Sequence, residues 1–312
     1  MANFNNITGD RSKEIMMEYV CCNQCNSNET KDLFSINSST FGEFQEFRVV
    51  QCRKCGLAYL NPRPPEQKIL DMYRNEYYDL TNRPDIDDDG KVHFSQSHLA
   101  WQKSMLDRIE QYTSKSRICE IGCGYGAFLD LARTRGWETY GIELSHQYAD
   151  YSSSVLALNV LEGTLRERSF SSSLFDAVNL NNVIEHYADP YHELLEINRI
   201  LKSKGILQVL TPNLNGLTAR AGRFYLRLRG KRGVEEDGLL QHLYFFSIRT
   251  LTEILEKAGF EVIEVSTWVT EKTHSLQTRK GWKKLGYQIL LWLAERSTRW
   301  EDMIIIIARK IR

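Results

Sequence analysis

Residues 118–132, ICEIGCGYGAFLDLA, place three glycines at alternate positions between a short apolar run and an amphipathic segment. The apolar run predicts a buried parallel strand, and the segment after the turn predicts a helix N-terminus whose free N–H groups face the turn. Glycine permits a tight turn and lets a ligand approach the main chain. Gly122, Gly124 and Ala127 also satisfy the G-x-G-x-x-G/A fingerprint. The stretch therefore predicts a nucleotide-binding loop, although the motif alone does not separate the cofactor classes that use such loops.

Strands and helices alternate from residue 116 onward. Strands are predicted at 117–122, 138–145, 158–163, 175–181, 205–213, 261–269 and 302–310. Helices are predicted at 126–136, 146–157, 189–205 and 247–260. This alternation predicts a doubly wound α/β sheet with helices on both faces.

Composition sets limits on the class of protein. The 312 residues suggest about two domains, and a 42% hydrophobic content allows a sizeable core. The 40 basic and 40 acidic residues balance, so no global charge indicates a nucleic-acid partner or an anionic membrane. The first 20 residues show no secretory signal, and the longest apolar runs, ILLWLA and MIIIIA, are far shorter than the ~20 residues of a membrane span. We expect a cytoplasmic protein.

Four cysteines form two C-x-x-C pairs near the start of the chain, Cys22 with Cys25 and Cys52 with Cys55. In a reducing compartment such pairs more often hold zinc than form disulfides. The gap between the pairs exceeds the usual spacing of roughly 15 to 20 residues, a plain set of reduced thiols is the alternative, and Cys21 could replace Cys22. Four thiolates leave no open position for a substrate, so we expect the zinc to be structural.

The chain divides by composition into four parts: a polar tail at 1–18, a zinc-binding segment at 19–60, a helical lid or linker at 61–115, and an α/β domain at 116–312 with insertions at about 214–240 and 270–300. The zinc-binding segment contains a predicted strand at 43–52. The lid contains predicted helices at 65–80 and 97–112, separated by a polar loop.

Two further stretches, 175–213 and 238–265, closely resemble class I S-adenosylmethionine-dependent methyltransferases. The glycine motif, the position of Glu143 and the IEHYADP sequence at 184–190 match that family in order, and the resemblance covers roughly 116–268 and 301–311. It implies a Rossmann-like seven-stranded sheet whose last strand is antiparallel. The cysteine segment resembles the zinc-bearing N-terminal segment of some members, including sugar C-methyltransferases. Those proteins carry a further large C-terminal domain that these residues do not include.

The resemblance also implies where the cofactor S-adenosylmethionine binds. The methionine end would contact the glycine loop, Glu143 would hold the ribose, the next loop would border the adenine, and two asparagines would lie beside the transferred methyl group. The residues in this order are Glu120, Gly122, Gly124 and Gly126, then Glu143, then Gly163 and Thr164, then Asn181 and Asn182. Thr164 departs from the acidic residue common in the family, which suggests contact through the backbone.

Glu185 and His186 lie where the carboxyl edge of the sheet meets the substrate. A histidine near its ordinary pKa can take a proton from a hydroxyl group or from a carbon beside a carbonyl. The resemblance implies this general-base role for His186, and the alternative is that the pair only orients its loop. His242 and Tyr244 form a second candidate pair at the same edge, where the alternative is a cap for the following helix.

Three further groups of residues are candidates for binding a ligand, a membrane or a partner. Tyr73, Tyr77 and Tyr78 could close over the cofactor or bind substrate, or they could be ordinary packing. Arg223 lies in a segment with six basic residues and no acid, 217–233, that could bind the pyrophosphate of a nucleotide- or lipid-linked substrate, or be a solvated surface. An amphipathic helix predicted at 281–297 could rest on a membrane, dock on its own domain or form a dimer contact.

The sequence thus predicts methyl transfer to oxygen or carbon of a small-molecule or glycan acceptor, most plausibly sugar-derived. A ribosomal or transfer RNA base methyltransferase is an alternative, against which the neutral net charge and the absence of an Asn-Pro-Pro-Tyr motif argue. A non-catalytic cofactor-binding module is a third hypothesis. The oligomeric state is not predicted.

Overall fold

The structure is a computed structural model that describes residues 17–38, 45–75, 85–86, 91–228, 233–235, 241–268 and 301–311. Its main feature is a seven-stranded sheet with the order β13-β14-β10-β9-β6-β7-β8. Strand β14 is antiparallel to both of its neighbours, and the pairs among β6 to β10 are parallel. The doubly wound sheet with one antiparallel last strand is confirmed.

The strands of this sheet are β6 Arg117–Ile121, β7 Glu138–Glu143, β8 Val160–Glu162, β9 Phe175–Asn181, β10 Leu201–Pro212, β13 Phe260–Trp268 and β14 Met303–Lys310. The helices are α1 Glu66–Asn75, α2 Gln96–Glu110, α3 Ala127–Thr134, α4 His146–Asp150, α5 Leu165–Arg168, α6 Pro190–Ile200, α7 Leu217–Leu228 and α8 Ile248–Lys257. Short π and 3-10 turns lie at Tyr151–Val155 and Ile184–His186.

The two faces of the sheet build two hydrophobic cores. Helices α2 and α3 pack on one face, where Ile305 and Ile307 of β14 are buried. Helices α6 and α8 pack on the other, where the alternate residues Ile304 and Ile306 are buried. Because successive strand side chains point to opposite faces, a continuously apolar strand such as β14 requires this double cover.

A second, five-stranded sheet contains the cysteine segment. Its order is β11-β1-β2-β3-β12. The strands are β1 Thr30–Ser38, β2 Gln45–Cys52, β3 Ala58–Leu60, β11 Gly233–Glu235 and β12 Tyr244–Phe245. Only β2 was predicted. Strands β11 and β12 come from the part of the chain assigned to the α/β domain, so the two parts share a sheet, and the proposed domain division remains a prediction.

One predicted boundary is wrong. Helix α6 ends at Ile200 and β10 begins at Leu201, four residues before the expected start at Gly205. Leu201 pairs with Phe175 of β9, and the register shifts before Ile206. The pairing of Leu201 with β9 ends the helix, and Lys204, with a φ of 63°, has a backbone conformation that a helix does not contain. A two-stranded sheet of β4 Asp85–Ile86 and β5 Val92–His93 precedes α2.

The amphipathic helix predicted at 281–297 lies outside the described residues, as do Tyr77 and Tyr78. Among the residues that are described, no helix combines the length and the apolar character needed to cross a membrane.

Candidate active site

The glycine loop follows β6 with three residues in the left-handed region. Gly122, Gly124 and Gly126 have φ values of 71°, 53° and 78°. A Cβ on Gly122 would lie 2.6 Å from Cγ2 of Val183, so the loop can approach the exit of β9 only without a side chain. The main chain is thereby exposed to a ligand at the carboxyl edge of the sheet.

A cavity of about 510 Å³ lies between this loop, the lid helix α1 and the exit of β9. Nine of the residues predicted for the site line it: Tyr73, Gly122, Gly124, Glu143, Gly163, Thr164, Asn181, Asn182 and His186. The structure therefore brings the predicted cofactor loop, the ribose carboxylate and one predicted catalytic residue to one cavity.

Glu143 is fixed at the cavity wall by the backbone. The N–H of Gly124 donates to Oε2 and the N–H of Ser145 donates to Oε1, each at 2.8 Å. The residue is 8% exposed, and burial raises the pKa of its carboxyl group although the backbone donors oppose that shift. Each carboxylate oxygen keeps a second acceptor position for a ligand diol.

Thr164 uses its side chain inside the protein. It caps α5 in a capping box with Glu167, in which the Glu167 N–H donates to the Thr164 hydroxyl at 3.3 Å. The backbone N–H groups of Gly163 and Thr164 are also bonded internally, to the Glu143 carbonyl at 2.8 Å and to Glu167 Oε2 at 2.7 Å, so the backbone contact expected at this loop remains a prediction.

Two residues predicted to bind the cofactor do not line the cavity. Glu120 is 3% exposed and accepts a hydrogen bond from Asn179 at 2.9 Å, and Asn179 accepts one from Gln208 at 2.9 Å. Burial raises the pKa of the Glu120 carboxyl group well above its usual range. Gly126 begins α3, and a Cβ there would lie 2.6 Å from Leu158. Both residues support the loop from behind.

His186 lines the cavity and is held by two hydrogen bonds at one ring nitrogen. Its Nδ1 lies 2.8 Å from the Gln241 carbonyl oxygen and 2.6 Å from the Tyr73 hydroxyl. Because a carbonyl only accepts, Nδ1 carries the proton and Nε2 is the unprotonated nitrogen. The expectation of an ordinary pKa is wrong: burial lowers the pKa of His186 to about 4. The ring is therefore neutral at physiological pH.

Glu185 lies behind His186 and not on the cavity wall. It is 1% exposed, and its Oε2 accepts a hydrogen bond from the Thr211 hydroxyl at 2.9 Å. Its Oε1 has no hydrogen-bond partner among the described residues and lies 3.8 Å from Nε2 of His186. Burial raises the pKa of this carboxyl group to about 7. Glu185 can reach a substrate only through His186.

His242 and Tyr244, the second candidate pair, have different surroundings in the structure. The His242 ring lies 4.8 Å from the His186 ring, and burial together with His186 lowers the pKa of His242 to about 3. Tyr244 is 2% exposed, donates to the Ala188 carbonyl at 3.2 Å and accepts from Arg63 at 3.3 Å. Tyr244 therefore holds β12 in place, and the structure does not support its predicted contact with substrate.

Arg223 also lies away from the cofactor cavity. It lines a second cavity of about 550 Å³, donates to the Leu214 carbonyl at 2.6 Å and lies over the Phe34 ring at 5.9 Å.

The aromatic residues at the first cavity that were not predicted from the sequence include Phe94, His98, Tyr125 and Tyr148. Phe94 stacks on His98 with ring centres 4.9 Å apart, and Tyr125 packs on Tyr148 at 4.5 Å. Tyr125 stands inside the glycine motif, which was an available signal. The other three reach the cavity only through tertiary packing.

Two clusters have the donor atoms of a metal site. Cys22, Cys25, Cys52 and Cys55 place their sulfurs within 4.8 Å of one another, with Cys22–Cys55 at 3.4 Å and Cys25–Cys52 at 3.5 Å. A regular tetrahedron with Zn–S bonds of 2.3 Å has sulfurs roughly 3.8 Å apart, so the four residues fit zinc. Cys21 is exposed and outside the cluster.

The other cluster is Glu185, His186 and His242, whose potential ligand atoms also lie within 4.8 Å. Of these three residues only His186 lines the cavity, so Glu185 and His242 lie beside it in the interior.

Comparison with known proteins identifies the family. Residues 95–265 match the family model described as a methyltransferase domain, which is more than half of the chain. The chain belongs to this family. It is an S-adenosylmethionine-dependent methyltransferase of the class I fold.

Relatives are distant. The chain is 24% identical over 229 residues to the demethylmenaquinone methyltransferase of Bacillus cereus (strain ATCC 10987 / NRS 248), covering 64% of this chain and 90% of the relative. The crystal structure of the [4+2]-cyclase SpnF superposes with a TM-score of 0.52 and 19% identity over 80% of this chain and 98% of that one. A methyltransferase from Archaeoglobus fulgidus has a TM-score of 0.49 and 18% identity over 68% and 93%. The likeness to SpnF shows the fold alone.

Proposed function

We propose that the enzyme methylates a hydroxyl oxygen, or a carbon beside a carbonyl, of a small sugar-derived acceptor, with His186 as the general base. The observation that carries this proposal is that His186 lines the same cavity as the glycine loop and Glu143. The bound cofactor supplies an electrophilic methyl group, and the protein aligns the acceptor with it.

Proton removal by His186 requires that its pKa, about 4 because of burial, rises when the acceptor binds. A neutral imidazole can take the acceptor proton on Nε2 while Nδ1 remains bonded to the Gln241 carbonyl. The Glu185 carboxyl group, 3.8 Å away, stabilises the resulting imidazolium when it is ionised. Tyr73 at Nδ1 fixes the ring orientation.

The acceptor class rests on two supports. The cysteine segment resembles that of sugar C-methyltransferases, and its four thiols fit a structural zinc ion. The cavity lining includes Tyr73, His98 and His186, which offer hydrogen-bonding groups on ring surfaces suited to a hydroxylated acceptor.

The first test is a panel of acceptors with labelled S-adenosylmethionine. It contains nucleotide-linked keto and hydroxyl sugars, demethylmenaquinone, because that is the acceptor named for a relative, and a structured RNA. We expect transfer to a sugar. Transfer only to the quinone or to RNA would contradict the acceptor class and leave the family assignment intact.

The second test replaces the base. His186→Gln should lower kcat by at least about 100-fold because the acceptor proton loses its receiving nitrogen. Calorimetric affinity for S-adenosylmethionine should change less than about threefold. The matched control is His192→Gln, an exposed histidine on α6. Normal turnover in His186→Gln with normal cofactor binding would remove the general-base role.

A further inference from the structure

Helix α7, Leu217–Leu228, exposes an unusual amount of apolar surface. Phe224, Tyr225 and Leu228 are 63%, 47% and 70% exposed, and they are three of the nine large exposed hydrophobic residues in the described part of the chain. At about 100° per residue these three side chains fall within one arc of roughly 100°. A contiguous exposed apolar stripe of this kind marks an interaction surface.

Arginines flank this apolar stripe. Arg220 and Arg223 lie on the neighbouring side of the same helix, and the sequence of α7 contains no acidic residue. A helix with aromatic and leucine side chains beside arginines has the pattern of a helix that lies in a membrane interface.

The second cavity, which we call the arginine cavity, opens beside this helix. Its lining includes Arg220, Arg223 and Arg249, together with Asn213 and Asn215. The described residues that line it include no aspartate or glutamate. Arg249 is paired with Glu253 at 2.7 Å and Arg223 donates to the Leu214 carbonyl at 2.6 Å. The three guanidinium groups still give this polar cavity a local excess of positive charge, in a chain with no net charge, which suits an oxyanion.

We propose that α7 docks the enzyme on an anionic lipid surface, with Phe224, Tyr225 and Leu228 entering the interface and the arginine cavity receiving a lipid phosphate. The argument rests on the adjacency of the two features: an apolar stripe alone would suit many partners, whereas an apolar stripe bordered by arginines suits a bilayer with negative headgroups. The proposal places the membrane contact on α7 and goes beyond the proposed methyl transfer.

The arginine cavity lies close in the chain to the residue that holds Glu185. Thr211, which donates to Glu185, is two residues before Asn213 of the arginine cavity. Since consecutive Cα atoms are 3.8 Å apart, those two Cα atoms are within about 7.6 Å of each other. The arginine cavity therefore lies at the exit of β10, the strand that also holds Glu185 through Thr211.

The experiment measures co-sedimentation of the full chain with two kinds of vesicle: phosphatidylcholine alone, and phosphatidylcholine with about a third phosphatidylglycerol. We expect retention on the anionic vesicles alone, weakened by salt. The double variant Phe224→Ser/Leu228→Ser should bind at least about tenfold more weakly. Arg220→Gln should bind about fivefold more weakly. The control Leu195→Ser changes an exposed leucine on α6 and should bind normally.

Three results would overturn the proposal. These are no retention on anionic vesicles, equal retention on neutral vesicles, and undiminished retention of the double variant. A calorimetric titration with inorganic pyrophosphate separates the sources of phosphate. If pyrophosphate binds while vesicles do not, the cavity takes a soluble anion and the membrane proposal is wrong. Thermal melting and S-adenosylmethionine binding verify that each variant is folded.

Discussion

Glu143 illustrates how a single carboxylate is prepared for a ligand. Two backbone N–H groups, from Gly124 and Ser145, hold its oxygens in place. Burial raises the pKa of the carboxyl group, while these donors stabilise the ionised form. The side chain is thus held in one orientation at the cavity wall.

We predict that Glu143→Gln weakens the binding of S-adenosylmethionine by roughly 10- to 100-fold, because a hydrogen bond to a charged group contributes about 1.5–3 kcal/mol. Isothermal calorimetry on the purified protein measures this. The control is Glu162→Gln, the residue paired with Glu143 on the adjacent strand and partly exposed beside His146. Equal affinities for the two variants would contradict a ribose contact at Glu143.

The sequence predicted the positions of those residues that the path of the main chain alone determines. Gly122, Gly124 and Glu143 could be placed because the strand–loop–helix pattern fixes the edge of the sheet to which they belong. Glu120 and Glu185 stand equally near strand ends but point into the protein. Their burial depends on Asn179 and Thr211, which belong to other strands, so no local pattern could reveal it.

The two C-x-x-C turns of the cysteine segment have the same backbone geometry. Each C-x-x-C pair is followed by a residue with positive φ, Asn26 at 57° and Gly56 at 79°. In both turns the N–H of that residue donates to the first cysteine carbonyl, at 2.8 Å for Cys22 and 3.0 Å for Cys52. The two turns bring four sulfurs together.

We predict that Cys25→Ser loses about one equivalent of zinc and unfolds the five-stranded sheet, because structural zinc contributes on the order of 10 kcal/mol of folding free energy. Metal analysis and circular dichroism measure the two effects. Cys21→Ser, which changes an exposed cysteine outside the cluster, should retain metal and fold. Full structure in metal-free Cys25→Ser would contradict a structural zinc.

The predicted elements differ from the observed ones where a strand forms by pairing with a segment distant in sequence. The alternation from residue 116 was strong enough to predict every strand of the large sheet. Strands β11 and β12 have three and two residues and pair with β1 and β3. Segments this short carry no usable periodicity, and their partners lie far away in sequence. The early start of β10 at Leu201 has the same cause.

For the whole molecule, the buried histidines couple stability to pH. The pKa values of His186 and His242 are lowered from 6.5 to about 4 and about 3. The unfolded chain therefore binds protons that the folded chain does not, and stability is lost as pH falls below about 6.5. The raised pKa of Glu185 acts in the opposite direction over the same range.

We predict that His242→Asn reduces the loss of unfolding free energy between pH 7 and pH 5 by on the order of 2 kcal/mol relative to the parent protein. Urea unfolding at the two pH values measures it, and taking the difference between proteins cancels the contribution of Glu185. The control is His192→Asn, at an exposed position. An unchanged pH dependence in His242→Asn would show that His242 is not buried in its neutral form.

The order of strands has a consequence for a growing chain. Strand β14 lies between β10 and β13 and is the partner of both, yet it follows β13 only after residues 269–302. Until Met303–Lys310 leaves the ribosome, β10 and β13 each present an open edge to other polypeptides. A chain that stalls before this point should be prone to aggregate, and translation speed through 269–302 should therefore affect the yield of active enzyme.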